Sequence, residues 1–238
     1  MAYQAVIGAS GTLGQAFVSY LLAEHPDNQL MVFARQPIPI VDARITYVPI
    51  SYHEEASVEA AVASIPADQR FDRILVATGV LHNSQVKPEK SLRELHYESM
   101  QEVFMANTFF PAIAAKYFLP TLATDRRAVM AFLSARVGSI TDNHLGGWYA
   151  YRASKAALNM MVKNAAIEYG RFHKQALVVG LHPGTVQSPL SAPYSAQVAP
   201  EKYFTPTYAV ERMMAVLDGL TPEQSGGCYA WDGSTIPA

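Results

Sequence analysis

The stretch from Tyr3 to Gly14 constrains this chain more than any other. Tyr3–Ile7 is a short apolar run and reads as a buried strand. Gly8-Ala9-Ser10-Gly11-Thr12-Leu13-Gly14 follows directly, and then Ala16, Phe17, Tyr20, Leu21 and Leu22 recur at helical spacing. The order is strand, glycine-rich turn, helix. Such a turn lets backbone approach a ligand closely, and the amino end of the helix offers free N–H groups to a pyrophosphate. The bland alternative is an ordinary tight strand–helix connection. The same succession continues along the chain. Strands are expected over Gln29–Phe33, Ile45–Val48, Arg73–Val76, Ala128–Leu133, Leu177–Leu181 and Cys228–Trp231, and helices over Glu54–Ile65, Tyr97–Leu119, Tyr151–Tyr169 and Val210–Leu220. Strands alternating with helices imply an α/β fold with a doubly wound parallel sheet.

A chain of 238 residues, half of them hydrophobic, suffices for one such domain spanning residues 1–238. The formal net charge of -2 gives no electrostatic argument for nucleic acid or an anionic membrane. Cys228 is the single cysteine, so no internal disulfide and no cysteine cluster is available. The histidines show no H-E-x-x-H pattern, and no metal is expected. The first strand begins within a few residues of Met1, and no apolar run is long enough for a bilayer. A cytoplasmic protein without membrane attachment is the expectation. The proline stretches Pro37–Pro39 and Pro183–Pro206 read as loops within the domain.

Candidate site residues gather at the strand ends, where ligands bind in open α/β sheets. The second strand runs into Ala34-Arg35-Gln36. An acid for a ribose 2′-hydroxyl is missing there. Arg35 stands in its place, either to pair with a 2′-phosphate or as a solvated surface arginine. Ser51-Tyr52-His53 after the third strand lacks a clear adenine-contacting aspartate. The fourth strand ends in Ala77-Thr78-Gly79, where glycine would let the chain pass a ribose or simply leave the strand. Asn107 sits inside an apolar helix. Its amide must be satisfied, by a neighbouring loop or by a held water. Ser134 and Ser139 follow the fifth strand, and either could bond a carbonyl oxygen or cap a loop. In the glycine-rich and aromatic segment Asp142–Tyr149, His144 and Trp148 are substrate contacts or packing residues. Tyr151 and Lys155 are four apart and share one helix face. An adjacent ammonium lowers a phenol's pKa toward useful acid–base chemistry. Alone, that pair is a weak signal. Pro183, Gly184, Val186 and Ser188 form a turn whose backbone can face a carboxamide. The following loop, about residues 189–206, reads as a lid over the substrate.

Taken in order, the glycine turn Gly8–Gly14, Asn107, the strand end at Ser134, Tyr151-x-x-x-Lys155 and Pro183–Ser188 resemble the short-chain dehydrogenase/reductase family over essentially the whole chain. Gly138-Ser139-Ile140 and Gly146–Lys155 are similar to its C-factor and sniffer-like carbonyl reductase branch. The resemblance implies a Rossmann fold and an oxidoreductase that uses NADPH, with NAD as the other possibility. The cofactor would contact Gly8, Ser10, Gly11, Thr12, Leu13, Gly14, Arg35, Ala77, Thr78, Gly79 and Asn107. It would also contact Tyr151, Lys155, Pro183, Gly184, Val186 and Ser188. Tyr151 would donate a proton to an aldehyde, ketone or quinone oxygen. Lys155 would lower the tyrosine pKa, Asn107 would hold a relay water, and Ser134 or Ser139 would orient the substrate. A homodimer or homotetramer is implied, and the alternative is a cofactor-binding signalling protein of the C-factor type. Three departures stand out. The glycine turn is Gly-x-x-Gly-x-x-Gly, Ala77-Thr78-Gly79 replaces a commoner Asn-Asn-Ala-Gly, and Ala135 occupies the position where the branch carries its catalytic serine.

Overall fold

The structure is a computed structural model, and it describes residues 2–238. The strands of the main sheet are β1 (Tyr3–Ile7), β2 (Gln29–Ala34), β3 (Ile45–Pro49, a half-exposed edge), β4 (Arg73–Val76), β5 (Ala128–Leu133), β6 (Ala176–His182) and, near the carboxyl end, β9 (Cys228–Ala230). They form one parallel sheet in the order β3-β2-β1-β4-β5-β6-β9. Away from the β3 edge, their runs of apolar residues are hydrophobic on both faces, as a doubly covered sheet requires. Helices α1 (Thr12–Glu24) and α6 (Pro206–Gly219) pack on one face around Phe17, Leu21, Val32, Met213 and Leu217. On the other lie α2 (Glu55–Ala63), α3 (Tyr97–Phe104), α4 (Phe110–Phe118) and α5 (Tyr149–Gly170). Phe33, Phe110, Phe118, Phe132 and Leu158 form that core. The strand order reverses between β1 and β4. A crevice opens at the carboxyl ends of such a pair, and it fixes where a ligand binds.

Two local features differ from the expectation. The helix expected over Tyr97–Leu119 is interrupted by a π turn, Met105–Phe109, between α3 and α4. Insertions of this kind leave the apolar periodicity nearly intact, so spacing does not reveal them. The loop at 189–206 carries 3-10 turns at Ala192–Gln197 and Pro200–Lys202. Its end, β8 (Tyr203–Phe204), pairs in parallel with β7 (Thr185–Val186). The loop is thereby tied down at its root. Among the described residues, no helix is long and apolar enough to cross a membrane.

Candidate active site

Helix α5 opens two residues before Tyr151, which sets that side chain in its first turn and Lys155 one turn further in. Lys155 is only 3% exposed. Its Nζ donates to the Leu133 carbonyl at 2.8 Å and lies 5.9 Å from the Tyr151 ring centroid. Burial away from any carboxylate pulls the lysine pKa down to about 8. The same burial pushes the Tyr151 phenol up to about 12. The direction is opposite to the lowering expected from a neighbouring ammonium, and its cause is desolvation. The phenol is a fully protonated donor at neutral pH.

Asn107 lies in the π turn and is completely buried. Its Oδ1 accepts from the Val80 N–H at 2.7 Å, and its Nδ2 donates to the Val80 carbonyl at 2.8 Å and to Ser154 Oγ at 3.1 Å. The side chain thus pins the loop after β4 to the helix that carries Tyr151. Both amide hydrogens are used and Oδ1 holds one donor, which is the loop-bonding alternative, and the oxygen keeps a second acceptor position. A methyl group on Gly79 would stand 3.3 Å from Asn107 Oδ1 and 3.4 Å from Lys155 Nζ, so the three positions converge.

The turn between β1 and α1 is built on close approach. A Cβ on Gly14 would lie 2.8 Å from Ala9 Cα and within bonding range of the Gly8 carbonyl oxygen, so only glycine fits. Helix α1 starts after Gly11 with no side-chain cap and no acidic residue in its first turn, which leaves its amino end free for an anion. Arg35 follows β2, is exposed, and stacks over the Tyr52 ring at 5.1 Å. None of the ion pairs among the described residues involves it.

A cleft of about 510 Å³ joins these parts. Its walls include Gly11, Thr12 and Leu13 from the glycine turn, Ala77, Thr78 and Gly79 after β4, and Tyr151 and Lys155. Pro183, Gly184, Val186 and Ser188 complete the side formed after β6. Gly8, Ser10, Gly14, Arg35 and Asn107 lie behind or beyond the wall rather than in it. The Thr78 hydroxyl is buried without a partner.

Both serine hydroxyls have partners within the protein. Ser134 is in the wall but 4% exposed, and its Oγ donates to Asn159 Oδ1 at 2.6 Å on α5. Neighbouring strand residues face opposite ways. Ser139 is outside the cleft, where its Oγ accepts from the Asp142 N–H at 3.0 Å. His144 is exposed and also outside, whereas Trp148 lines the cleft.

The sequence reading missed four participants. His182 ends β6 in the wall with a buried, unpartnered Nδ1, and burial together with Arg136 holds its pKa down to about 4. Arg136, also in the wall, is ion-paired to Asp142 at 2.7 Å. Tyr194 enters from the loop expected to be a lid. Glu89, in the loop between β4 and α3, is buried against the start of α5, where its carboxylate accepts from the Ala150 N–H at 3.2 Å. For Tyr194 the available signal was an aromatic in a proline-rich loop, and for Glu89 there was none.

Residues 4–199 match the short chain dehydrogenase family. The C-signal protein of Myxococcus xanthus is 34% identical over 147 residues, covering 62% of this chain and 83% of that one. A 1-hydroxy-2-glutathionyl-2-methyl-3-butene dehydrogenase of Rhodococcus sp. strain AD45 is 28% identical and covers 97% of both chains. The NADPH-bound carbonyl reductase from chicken fatty liver superposes with a TM-score of 0.85 at 25% identity, over 100% of this chain and 99% of that one.

Proposed function

Since this chain belongs to the short chain dehydrogenase family, we propose that it is an NADP-dependent carbonyl reductase. Its substrates are aldehydes, ketones or quinones, and Tyr151 is the proton donor. The observation that carries this reading is a single cleft holding Tyr151 and Lys155 together with the uncapped amino end of α1. A dinucleotide fits the residues present. The close-packed glycine turn, the free helix end and the orphaned Thr78 hydroxyl all border one crevice. Gly11–Leu13 would hold the pyrophosphate, Arg35 the 2′-phosphate, Lys155 the nicotinamide ribose, and Val186 and Ser188 the carboxamide.

When bound, the cofactor supplies the reducing equivalent to the carbonyl carbon. The chain's own work is the proton. Tyr151 Oη donates to the carbonyl oxygen as it becomes an alkoxide, and the Lys155 ammonium stabilises the phenolate left behind. The loop at 189–206 closes the substrate side. A homodimer or homotetramer and a cytoplasmic location belong to the same proposal.

The test is a fluorescence titration with NADPH and NADH, followed by a panel of aldehydes, ketones and quinones. Binding of the cofactor with no reduction anywhere in the panel overturns the reading. The similarity to the C-signal protein favours one other function, a cofactor-binding signalling protein. That reading requires Tyr151→Phe to leave the biological role intact, whereas the reductase loses its activity.

A further inference from the structure

The turn that leads into α5 is strained. Gly146, Gly147 and Trp148 are consecutive left-handed residues with φ of 64°, 66° and 50°. Glycine adopts this region freely. Trp148 is the only non-glycine residue with positive φ among the described residues. A bulky side chain there is an outlier, and such strain persists only where its surroundings over-determine it.

Those surroundings are identifiable. The Glu89 carbonyl accepts from the Trp148 N–H at 2.5 Å, while the Glu89 carboxylate accepts from the Ala150 N–H at 3.2 Å. One buried residue therefore grips both sides of the strained position, with its carboxylate at the positive end of a 22-residue helix. From within the helix, Arg152 Nε donates to the carbonyls of Gly146 and Gly147 at 3.2 and 3.0 Å.

The consequence is the placement of an indole. The Trp148 ring lies 6.2 Å from the Tyr151 ring and 5.1 Å from that of Tyr194. Tyr194 is backed by His82, whose Nε2 bonds the carbonyls of Pro189 and Leu190 at 3.2 and 3.1 Å. Leu81, Val137 and Leu190 extend the same wall. The surface beside the proton donor is thus aromatic and aliphatic. Arg136, the other cation lining the cleft besides Lys155, is already paired with Asp142.

We infer that Trp148, held left-handed by Glu89, selects carbonyl compounds that carry a flat apolar group, such as an aryl ring, next to the carbonyl. The ring lies against the indole and Tyr194 while the carbonyl oxygen meets Tyr151. The inference rests on the reductase reading and names the substrate class for that site. Trp148 is the specificity determinant, and Glu89 is a positioning residue that acts through it.

The experiment compares kcat/KM for aryl and short aliphatic aldehydes and ketones, with NADPH binding followed separately by fluorescence. Wild-type protein is expected to favour the aryl series by at least about tenfold, the scale of one apolar pocket group. Trp148→Ala is expected to lower the aryl values roughly 10- to 100-fold, mainly through KM. It should leave the aliphatic values within about threefold and NADPH binding unchanged. Trp148→Phe restores most of the preference. Glu89→Gln, which keeps an acceptor for the Ala150 N–H, retains the aryl-to-aliphatic ratio, and Glu89→Ala lowers it. A purely structural Glu89 would change the amount of folded enzyme and not that ratio. Should Glu89→Ala fail to fold, the Trp148 variants decide alone. Equal losses on both series in Trp148→Ala, or no aryl preference in the wild type, overturn the inference and leave the reductase standing. Protein that binds NADPH and reduces neither series overturns the reductase reading itself.

Discussion

Lys155 is a cation held among neutral groups, and its cost can be measured. Its pKa falls from 10.5 to about 8 on folding. Between those values the unfolded chain keeps a proton that the folded chain has released, so stability rises with pH through that window. Below pH 8 both states are protonated and the full penalty, roughly 3 kcal/mol, is present. Lys155→Met removes it but leaves the Leu133 carbonyl without its donor, an offset of about 1 kcal/mol. The variant is therefore expected to melt several degrees above the wild type at pH 7, with the gap closing toward pH 10, and to lose its reductase activity. Melting curves across that range check it; a gap independent of pH would mean the lysine is not desolvated. Ser134 yields a second expectation. Its hydroxyl is committed to Asn159, so Ser134→Ala should keep kcat/KM within about threefold and destabilise by about 1 kcal/mol. A hundredfold loss would restore Ser134 to the substrate. Nothing in the sequence told the two cases apart, because the direction of a side chain at a strand end depends on where the backbone turns.

At the level of elements, the π turn is what places Asn107. Apolar spacing showed a helix from Tyr97 to Leu119, and the structure keeps that path with one wide turn inside it. The visible clue was chemical rather than periodic: a buried amide needs partners. Those partners, Val80 and Ser154, are 27 and 47 residues away, which no local pattern could name. Asn107→Ala strands the N–H and C=O of Val80 and should cost about 2–4 kcal/mol, with faster amide exchange at Val80. Asn107→Asp keeps the acceptor for the Val80 N–H, loses the donor, and should fall between. If both variants exchange as the wild type does, the amide does not hold the loop. The strand–turn–helix unit at the amino end was more legible, since glycine spacing speaks directly about close approach. Gly14→Ala would drive a methyl into the backbone of Gly8 and Ala9. It should destabilise by at least about 1–3 kcal/mol and abolish dinucleotide binding.

For the molecule as a whole, the sheet was readable because nearly every strand is a short apolar run bounded by a turn, and alternation with helices leaves few topologies. What escaped was whatever joins distant segments: Glu89 to the start of α5, Ser134 to Asn159, and Thr185–Val186 to Tyr203–Phe204. Arg35 lies between these cases. Its position after β2 was readable, and its exposed guanidinium beside Tyr52 is free of carboxylates. An arginine there should favour a 2′-phosphate and an acid a free 2′-hydroxyl. A ligand that binds only the folded state raises its stability by about 2.7 kcal/mol at 100 times Kd. For a chain of this size that corresponds to a melting shift of roughly 5–10 °C. NADPH is therefore expected to raise the melting temperature several degrees more than the same concentration of NADH. Arg35→Asp should reverse the order, by repelling the 2′-phosphate and accepting from the 2′-hydroxyl. Equal shifts by both cofactors in the wild type would remove Arg35 from the site and leave the proton chemistry at Tyr151 untouched. No shift with either would mean that the uncapped end of α1 does not serve a dinucleotide, and the signalling function would then take first place.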